Sequence, residues 1–298
     1  MDVLSSPAAL RRWSVANLVA NMVIIWTGAL VRVTASGLGC PTWPQCTPGS
    51  YTTTPEMGLH GAIEFGNRLL TFVLIAIALG TYLAARRAVQ TSRVPHRAQS
   101  LAFGVGIGII AQAVIGGLSV LAQLNPWVVG LHMVVSVLLM MICVELLHVA
   151  FDLTLVPAPP RLATLTSVVF GVGTAVIALG VIVTGAGPHA GDGGAARNGF
   201  SPEYTAKAHA WAVWALVALT ILGCVLAWTD ARLRRLWVGL LVVELVQGAI
   251  GYLQYFTHLP PTVVIGHMVG TTLFVVALTH LWRMTTTRVS AREPVGVS

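Results

Sequence analysis

Apolar residues along this chain fall into blocks of about twenty, separated by short polar or Pro/Gly-rich breaks. A bilayer core about 30 Å thick takes about 20 apolar residues in a helix. Blocks at 13-33, 59-85, 98-122, 128-150, 163-184, 207-229, 236-257 and 262-283 therefore predict eight transmembrane spans. Arg11 and Arg12 precede the first block as in a secretory signal, but no small-residue cleavage site follows before Arg32, so this block too reads as a helix. The expected fold class is an all-α integral membrane protein.

Composition narrows the function classes. With 56% hydrophobic and 9% charged residues and a mean hydropathy of +0.81, the 298-residue chain cannot cover a water-facing surface. This excludes a soluble enzyme, a disordered tail and a disulfide-stapled secreted module. A net charge of +7 suggests a polyanionic partner until the bases are placed. Thirteen of the seventeen Lys/Arg flank one side of the spans: Arg11, Arg12, Arg86, Arg87, Arg93, Arg97, Arg161, Arg232, Arg234, Arg235, Arg283, Arg288 and Arg292. The charge thus reports topology and leaves no case for nucleic acid. The positive-inside rule puts both termini in the cytoplasm of a multi-pass cell-membrane protein and faces 34-58, 123-127, 185-206 and 258-261 outward. Cys40 and Cys46 share the first outer loop, an oxidising location where a disulfide can form; two unpaired loop thiols are the alternative. Cys143 and Cys224 read as apolar packing residues, and Trp13, Trp43, Trp127 and Trp282 as interface anchors.

The two halves repeat. Gln112-Ala-Val-Ile-Gly-Gly-Leu leads to His132 and Gln247-Gly-Ala-Ile-Gly-Tyr-Leu leads to His267, each over 20 residues. Val33-Thr34-Ala-Ser-Gly37 is echoed by Val183-Thr184-Gly-Ala-Gly187. Four spans per half give both halves one orientation, so two pseudo-symmetric four-helix bundles, 1-155 and 156-298, are expected about an axis along the membrane normal.

Histidines supply the candidate chemistry. His132, His209 and His267 lie near the outer ends of spans 4, 6 and 8. Imidazole at membrane depth is costly without a partner, and bundles build cofactor sites from facing helices, where histidine is a good axial haem ligand. His209 and His267 form a bis-histidine haem b proposal in the second half. In the first half His132 is the counterpart of His267, while span 2 offers His60 and Asn67. His60, Glu64, Asn67 and Arg68 share one helical face. Asn67 lies 45 residues before Gln112 and His209 lies 38 before Gln247, a smaller mismatch than for His60, so Asn67 is the aligned position. Asparagine is a poor iron ligand.

These residues resemble the haem A synthase family of cytochrome oxidase assembly. The resemblance rests on the Gly28-to-Cys40 stretch ending span 1, the second loop cysteine Cys46, the Glu64-Phe-Gly-Asn67-Arg68 segment on span 2, and single histidines on spans 4, 6 and 8. It implies oxidation of the haem O methyl group to the formyl of haem A by successive hydroxylations. Haem b would sit in the C-terminal half on His209 and His267, and substrate in the N-terminal half with His132 as ligand, Glu64 as catalytic acid and Cys40/Cys46 as the disulfide pair. Where the family has a span 2 histidine this chain has Asn67, and the second-half loop lacks the cysteine pair of some relatives. Two arrangements accommodate Asn67: ligation of the substrate haem by His132 alone, which is preferred, or His60 reaching in from one or two turns outward.

Other roles follow from residue type. Glu64 suits acid–base work at the substrate edge, or an i,i+4 ion pair with Arg68; Arg68 suits a haem propionate. Gln112 and Gln247 line the pockets or bond helix to helix, Glu145 and Glu244 have structural partners or belong to a proton route, and His148 and His280 snorkel. A haem O synthase and an electron donor are the expected partners besides the lipid bilayer. Two rivals are a membrane cytochrome b electron carrier, which lacks opposing ligands for a second inner haem, and a repeat-built proton-coupled transporter.

Overall fold

Each expected span forms a helix, and most are longer than their apolar blocks because a polar turn at one end is helical as well. In the computed structural model, which describes residues 7–91 and 94–286, the elements are α1 (Pro7–Val33), α2 (Gly58–Thr91), α3 (His96–Leu121), α4 (Pro126–Ala150), α5 (Pro160–Ala186), α6 (Pro202–Leu226), α7 (Ala231–Phe256) and α8 (Pro261–Thr286). A short 3-10 turn, Pro55–Met57, leads into α2. All eight helices are long and apolar enough to cross a membrane. Helix is the form in which a lipid-embedded backbone satisfies its own hydrogen bonds. Of the bases assigned to the inner side, Arg93, Arg288 and Arg292 lie outside the described residues.

The helix starts are written in local chemistry. Pro126, Pro160, Pro202 and Pro261 open α4, α5, α6 and α8, where a missing N–H costs nothing. Asn125 accepts from the Trp127 N–H, Ser201 from that of Tyr204, and Asp230 from those of Arg232 and Leu233. The bonds from Leu233 and then Arg232 hold the Asp230 carboxyl below its ordinary value.

Within each half, neighbouring helices pack in sequence and the ring closes: α1 touches α4 as well as α2, and α5 touches α8 as well as α6. The halves meet along α1 and α4 against α8, and α4 against α5. One apolar core runs through both, including Met22, Met140, Val275 and Leu278, and Trp26 on α1 donates its indole N–H to Thr272 on α8 at 3.0 Å.

At the end of this seam near Arg97 and Arg283 the expected snorkelling of His148 and His280 is replaced by pairing: His148 Nε2 and His280 Nδ1 are 2.8 Å apart. Glu145 bridges Arg97 at 2.7 Å and Arg283 at 2.8 Å, and Glu244 accepts from Thr220 at 2.9 Å, so both inner carboxylates have structural partners. The offset of 135 residues that relates His132 to His267 also relates Glu145 to His280 and His148 to Arg283. An ion pair and an imidazole pair therefore occupy equivalent positions across the pseudo-axis.

At the opposite end, Arg32 donates to the carbonyls of His189 and Thr184 at 2.5 and 2.9 Å. The Gly37 N–H reaches the Gly191 carbonyl at 2.7 Å, and His189 Nε2 lies 2.9 Å from the Leu259 carbonyl. The loops after α1, α5 and α7 are thus tied into one layer.

Candidate functional site

Helix starts set the depth of the three site histidines. His132 follows Pro126 by six residues, His267 follows Pro261 by six and His209 follows Pro202 by seven. At 1.5 Å per residue each imidazole sits about 10 Å below its helix start.

The repeat extends to the hydrogen bonds around the α4 and α8 histidines. On α3, Gln112 Nε2 donates to the His132 carbonyl at 3.0 Å and to Ser136 Oγ at 2.5 Å. On α7, Gln247 Nε2 donates to the His267 carbonyl at 2.8 Å and to Thr271 Oγ1 at 2.9 Å. The two glutamines therefore join helix to helix at the histidine turn. One turn further along each glutamine helix stands a glycine against the ring: a Cβ on Gly116 would lie 3.3 Å from His132 Cε1, and one on Gly251 3.5 Å from His267 Cε1. Any larger residue would crowd the imidazole.

The ring nitrogens differ in a way that matters. His209 Nδ1 lies 3.0 Å from the Val176 carbonyl on α5, so Nδ1–H donates and Nε2 keeps its lone pair. An outer partner of this kind fixes the tautomer and orientation of a metal-binding imidazole. His132 and His267 make no ring hydrogen bond among the described residues, and their Nδ1 atoms are buried. A buried polar atom without a partner costs free energy in any apolar medium. His209 and His267 are the residues that would hold an iron-bearing cofactor in the second half. No group of three or more His, Cys, Asp or Glu suited to a bare metal ion occurs among the described residues.

Asn67 on α2 accepts a 2.7 Å hydrogen bond from Thr27 Oγ1, six residues inside the end of α1. His209 leans on Val176 and Gly180, six to ten residues inside the end of α5. Asn67 and His209 thus stand at equivalent levels in the two halves. His60 stands at the outer rim: its Nδ1 is 2.9 Å from Ser36 Oγ, beyond the end of α1, beside a cleft of about 440 Å³ lined also by Leu38, Met57 and Asp192.

The shared face of α2 anchors the cysteine loop. Cys40 and Cys46 form a disulfide, both fully buried. Glu64, 5% exposed, accepts the Cys40 N–H at 2.6 Å and pairs with Arg68 at 2.6 Å. Arg68 also donates to the carbonyls of Cys40, Thr42 and Gln45 at 2.8, 2.9 and 3.3 Å. The i,i+4 ion pair exists, and its remaining capacity goes to the loop backbone. That anchoring brings Trp43 onto α3, with the fused edge of its indole directly over Gly117. Trp43 as an interface anchor missed this contact. The available signal was the repeat itself, which sets Gly117 against Tyr252.

Eight helices long and apolar enough to cross a membrane, with a histidine at a similar depth on α4, α6 and α8, define a multi-pass membrane protein. The chain belongs to the cytochrome oxidase assembly protein family COX15-CtaA, whose pattern matches residues 11–191. That stretch contains every first-half site residue; His209 and His267 lie beyond it. Among similar proteins, the haem A synthase of Lysinibacillus sphaericus is 31% identical over 142 residues, 47% of this chain and 45% of its own length. That of Listeria welshimeri is 29% identical over 136 residues, 43% of this chain and 41% of its own. That of Geobacillus kaustophilus is 29% identical over 114 residues, covering 38% and 34%. The chain thus spans less than half the length of these curated relatives in alignment.

Proposed function

We propose that this protein is a haem A synthase, oxidising the methyl group of haem O to the formyl group of haem A by successive hydroxylations. Its second half would hold haem b between His209 and His267, and its first half would take haem O beside His132 and Asn67. The observation that carries this reading is the contrast between the halves: two imidazoles at one depth in the second, one imidazole and an amide at the matching levels in the first. A pair of imidazoles would hold a resident electron-transfer haem, and a single imidazole would hold a haem that remains free to react. Family membership and the names of the aligned relatives support the same assignment.

Bound haem supplies the iron chemistry of oxygen activation, and the protein supplies position and electrostatics. His132 holds the substrate ring from α4, its turn fixed by Gln112. Thr27 occupies Asn67 Oδ1, which leaves the Asn67 amide N–H groups to donate to an oxygen atom beside them. Glu64 is the acid–base residue of the first half; a proton leaves or returns at its carboxylate as its bonds to Cys40 N–H and Arg68 adjust. His60 belongs to the outer rim. The clustering of arginines at one end of the spans supports a topology with both termini in the cytoplasm and the cysteine loop outside, and a haem O synthase and an electron donor would be the partners.

Coexpression with a source of haem O, followed by chromatography of the extracted haems, tests the assignment. Haem A should accumulate only with the active chain, and His60→Ala should leave its amount unchanged within about twofold, as expected for a residue outside the ligand set. Haem O that remains unconverted while the protein is folded and pigmented contradicts the function. Abolition by His60→Ala moves the second axial ligand from an open position to His60.

A further inference from the structure

Three tryptophans lie flat against glycines on neighbouring helices: Trp13 on Gly80, Trp237 on Gly223 and Trp43 on Gly117. The first two are carried by α1 and α7 and bind helix to helix. Trp43 comes instead from the loop between α1 and α2, and its notch is the residue after Gly116, whose own open side faces the His132 ring. The loop wedge therefore closes the bundle at the level of the first-half imidazole.

The second half closes the same place differently. Tyr252 stands at the position equivalent to Gly117, and its hydroxyl accepts the indole N–H of Trp214 on α6 at 3.0 Å. By the relation of Asn67 to His209, Trp214 corresponds to Phe72 on α2, which points outward with 68% of its surface exposed. Trp214 and Tyr252, 53% and 46% exposed, thus bridge α6 and α7 at the surface by a hydrogen bond between two helix-borne rings. The first half lacks both partners of that bond and carries, at Gly117 on α3, an indole delivered by the cysteine loop. The loop that carries the indole is closed by the Cys40–Cys46 bridge around it and is tied to α2 by Arg68 bonds to the carbonyls of Thr42 and Gln45 on either side. A wall on a loop can withdraw as a unit while the helices stay packed, whereas a wall on two helices cannot.

We propose that Trp43 is the removable wall of the first-half haem site, a residue that retains the haem substrate and admits it through the α2–α3 seam. The inference rests on the functional reading above, because it assigns exchange to the first half and permanence to the second. Its ligand class is a lipid-soluble metalloporphyrin with a long apolar side chain, which the membrane-facing seam would pass without exposing that chain to water. The indole supplies a broad apolar face against the macrocycle, an aromatic contact worth roughly a factor of ten in lifetime when truncated.

The test loads the full-length protein with haem O and follows haem loss to excess apomyoglobin by absorbance. The wild-type protein should release haem in two phases, the fast one from the first half. Trp43→Ala should accelerate the fast phase about tenfold and leave the slow phase unchanged, and Trp43→Phe should restore most of the retention. Gly117→Tyr, which gives the first half the residue of the second and evicts the indole from the α3 side, should likewise accelerate the fast phase. Two phases with unchanged rates in both Trp43→Ala and Gly117→Tyr overturn the inference and leave the function standing. A folded wild type with no first-half haem overturns both. Should Trp43→Ala fail to fold, Gly117→Tyr alone decides between the same outcomes.

Discussion

Replacing His267 by alanine should leave a folded membrane protein that has lost the haem of its second half and with it all synthase activity. The side chain meets an open glycine face at Gly251 and makes no ring hydrogen bond among the described residues, so its removal breaks no internal bond. The Gln247 contact goes to the main-chain carbonyl and survives the substitution. On the proposed reading His267 would be one of the two residues holding the second-half haem, and losing it would change occupancy and spin state together. His132→Ala should behave differently, sparing the second-half spectrum while abolishing haem A formation. Reduced-minus-oxidised absorbance of the two purified variants checks both outcomes. A His267→Ala protein with the wild-type spectrum removes that residue from the ligand set.

Arg68→Ala should be the most destabilising single change on the first-half site face. It strips the donors from three loop carbonyls and leaves the Glu64 carboxylate buried with only the Cys40 N–H. Breaking a buried pair by removing one partner costs about 3–5 kcal/mol, because the remaining charge is uncompensated. The Arg68 side chain retains 20% exposure against 7% for Glu64, which points to the lower end, about 3 kcal/mol. Arg68→Ala combined with Glu64→Gln removes the orphaned charge and should recover part of that loss, the non-additivity that marks a direct interaction. Thermal unfolding in detergent of the wild type, both single variants and the double variant measures it; strictly additive losses would show that the pair is not coupled.

Much of this was legible in the chain because lipid imposes simple rules. The eight spans follow from block length, and boundaries moved only where helix and apolarity part company. The opening turns of α1 and α6 hold Arg11, Arg12 and Glu203, polar residues that hydropathy clips but that Pro7, Pro202 and the Ser201 cap make helical. Arg86 and Arg87 likewise extend α2 past its apolar block. The repeat was readable because a glutamine 20 residues before a histidine across a helix hairpin is one geometry used twice, and the structure repeats it down to the acceptor atoms.

Contacts that cross the repeat were not legible. His148 and His280 pair although they occupy non-equivalent positions, since the seam matches each to a residue of different type across the pseudo-axis. The task of Trp43 was hidden because a tryptophan in a Pro-rich outer loop reads as an interfacial ring. Its partner is a glycine 74 residues away, and nothing in local pattern links them. Glu64 and Arg68 were legible as a pair, whereas their hold on the backbone of residues 40–45 depends on where the loop folds back.

The claim beneath the functional account is that imidazoles on even-numbered helices grip haem iron at one depth near the outer end of the bundle. Electron paramagnetic resonance of the oxidised protein, purified from haem-replete cells, tests it most directly. A low-spin signal of bis-imidazole type that disappears in both His209→Ala and His267→Ala is the predicted result. A folded protein without haem, or a low-spin signal that persists in the double variant, would contradict it.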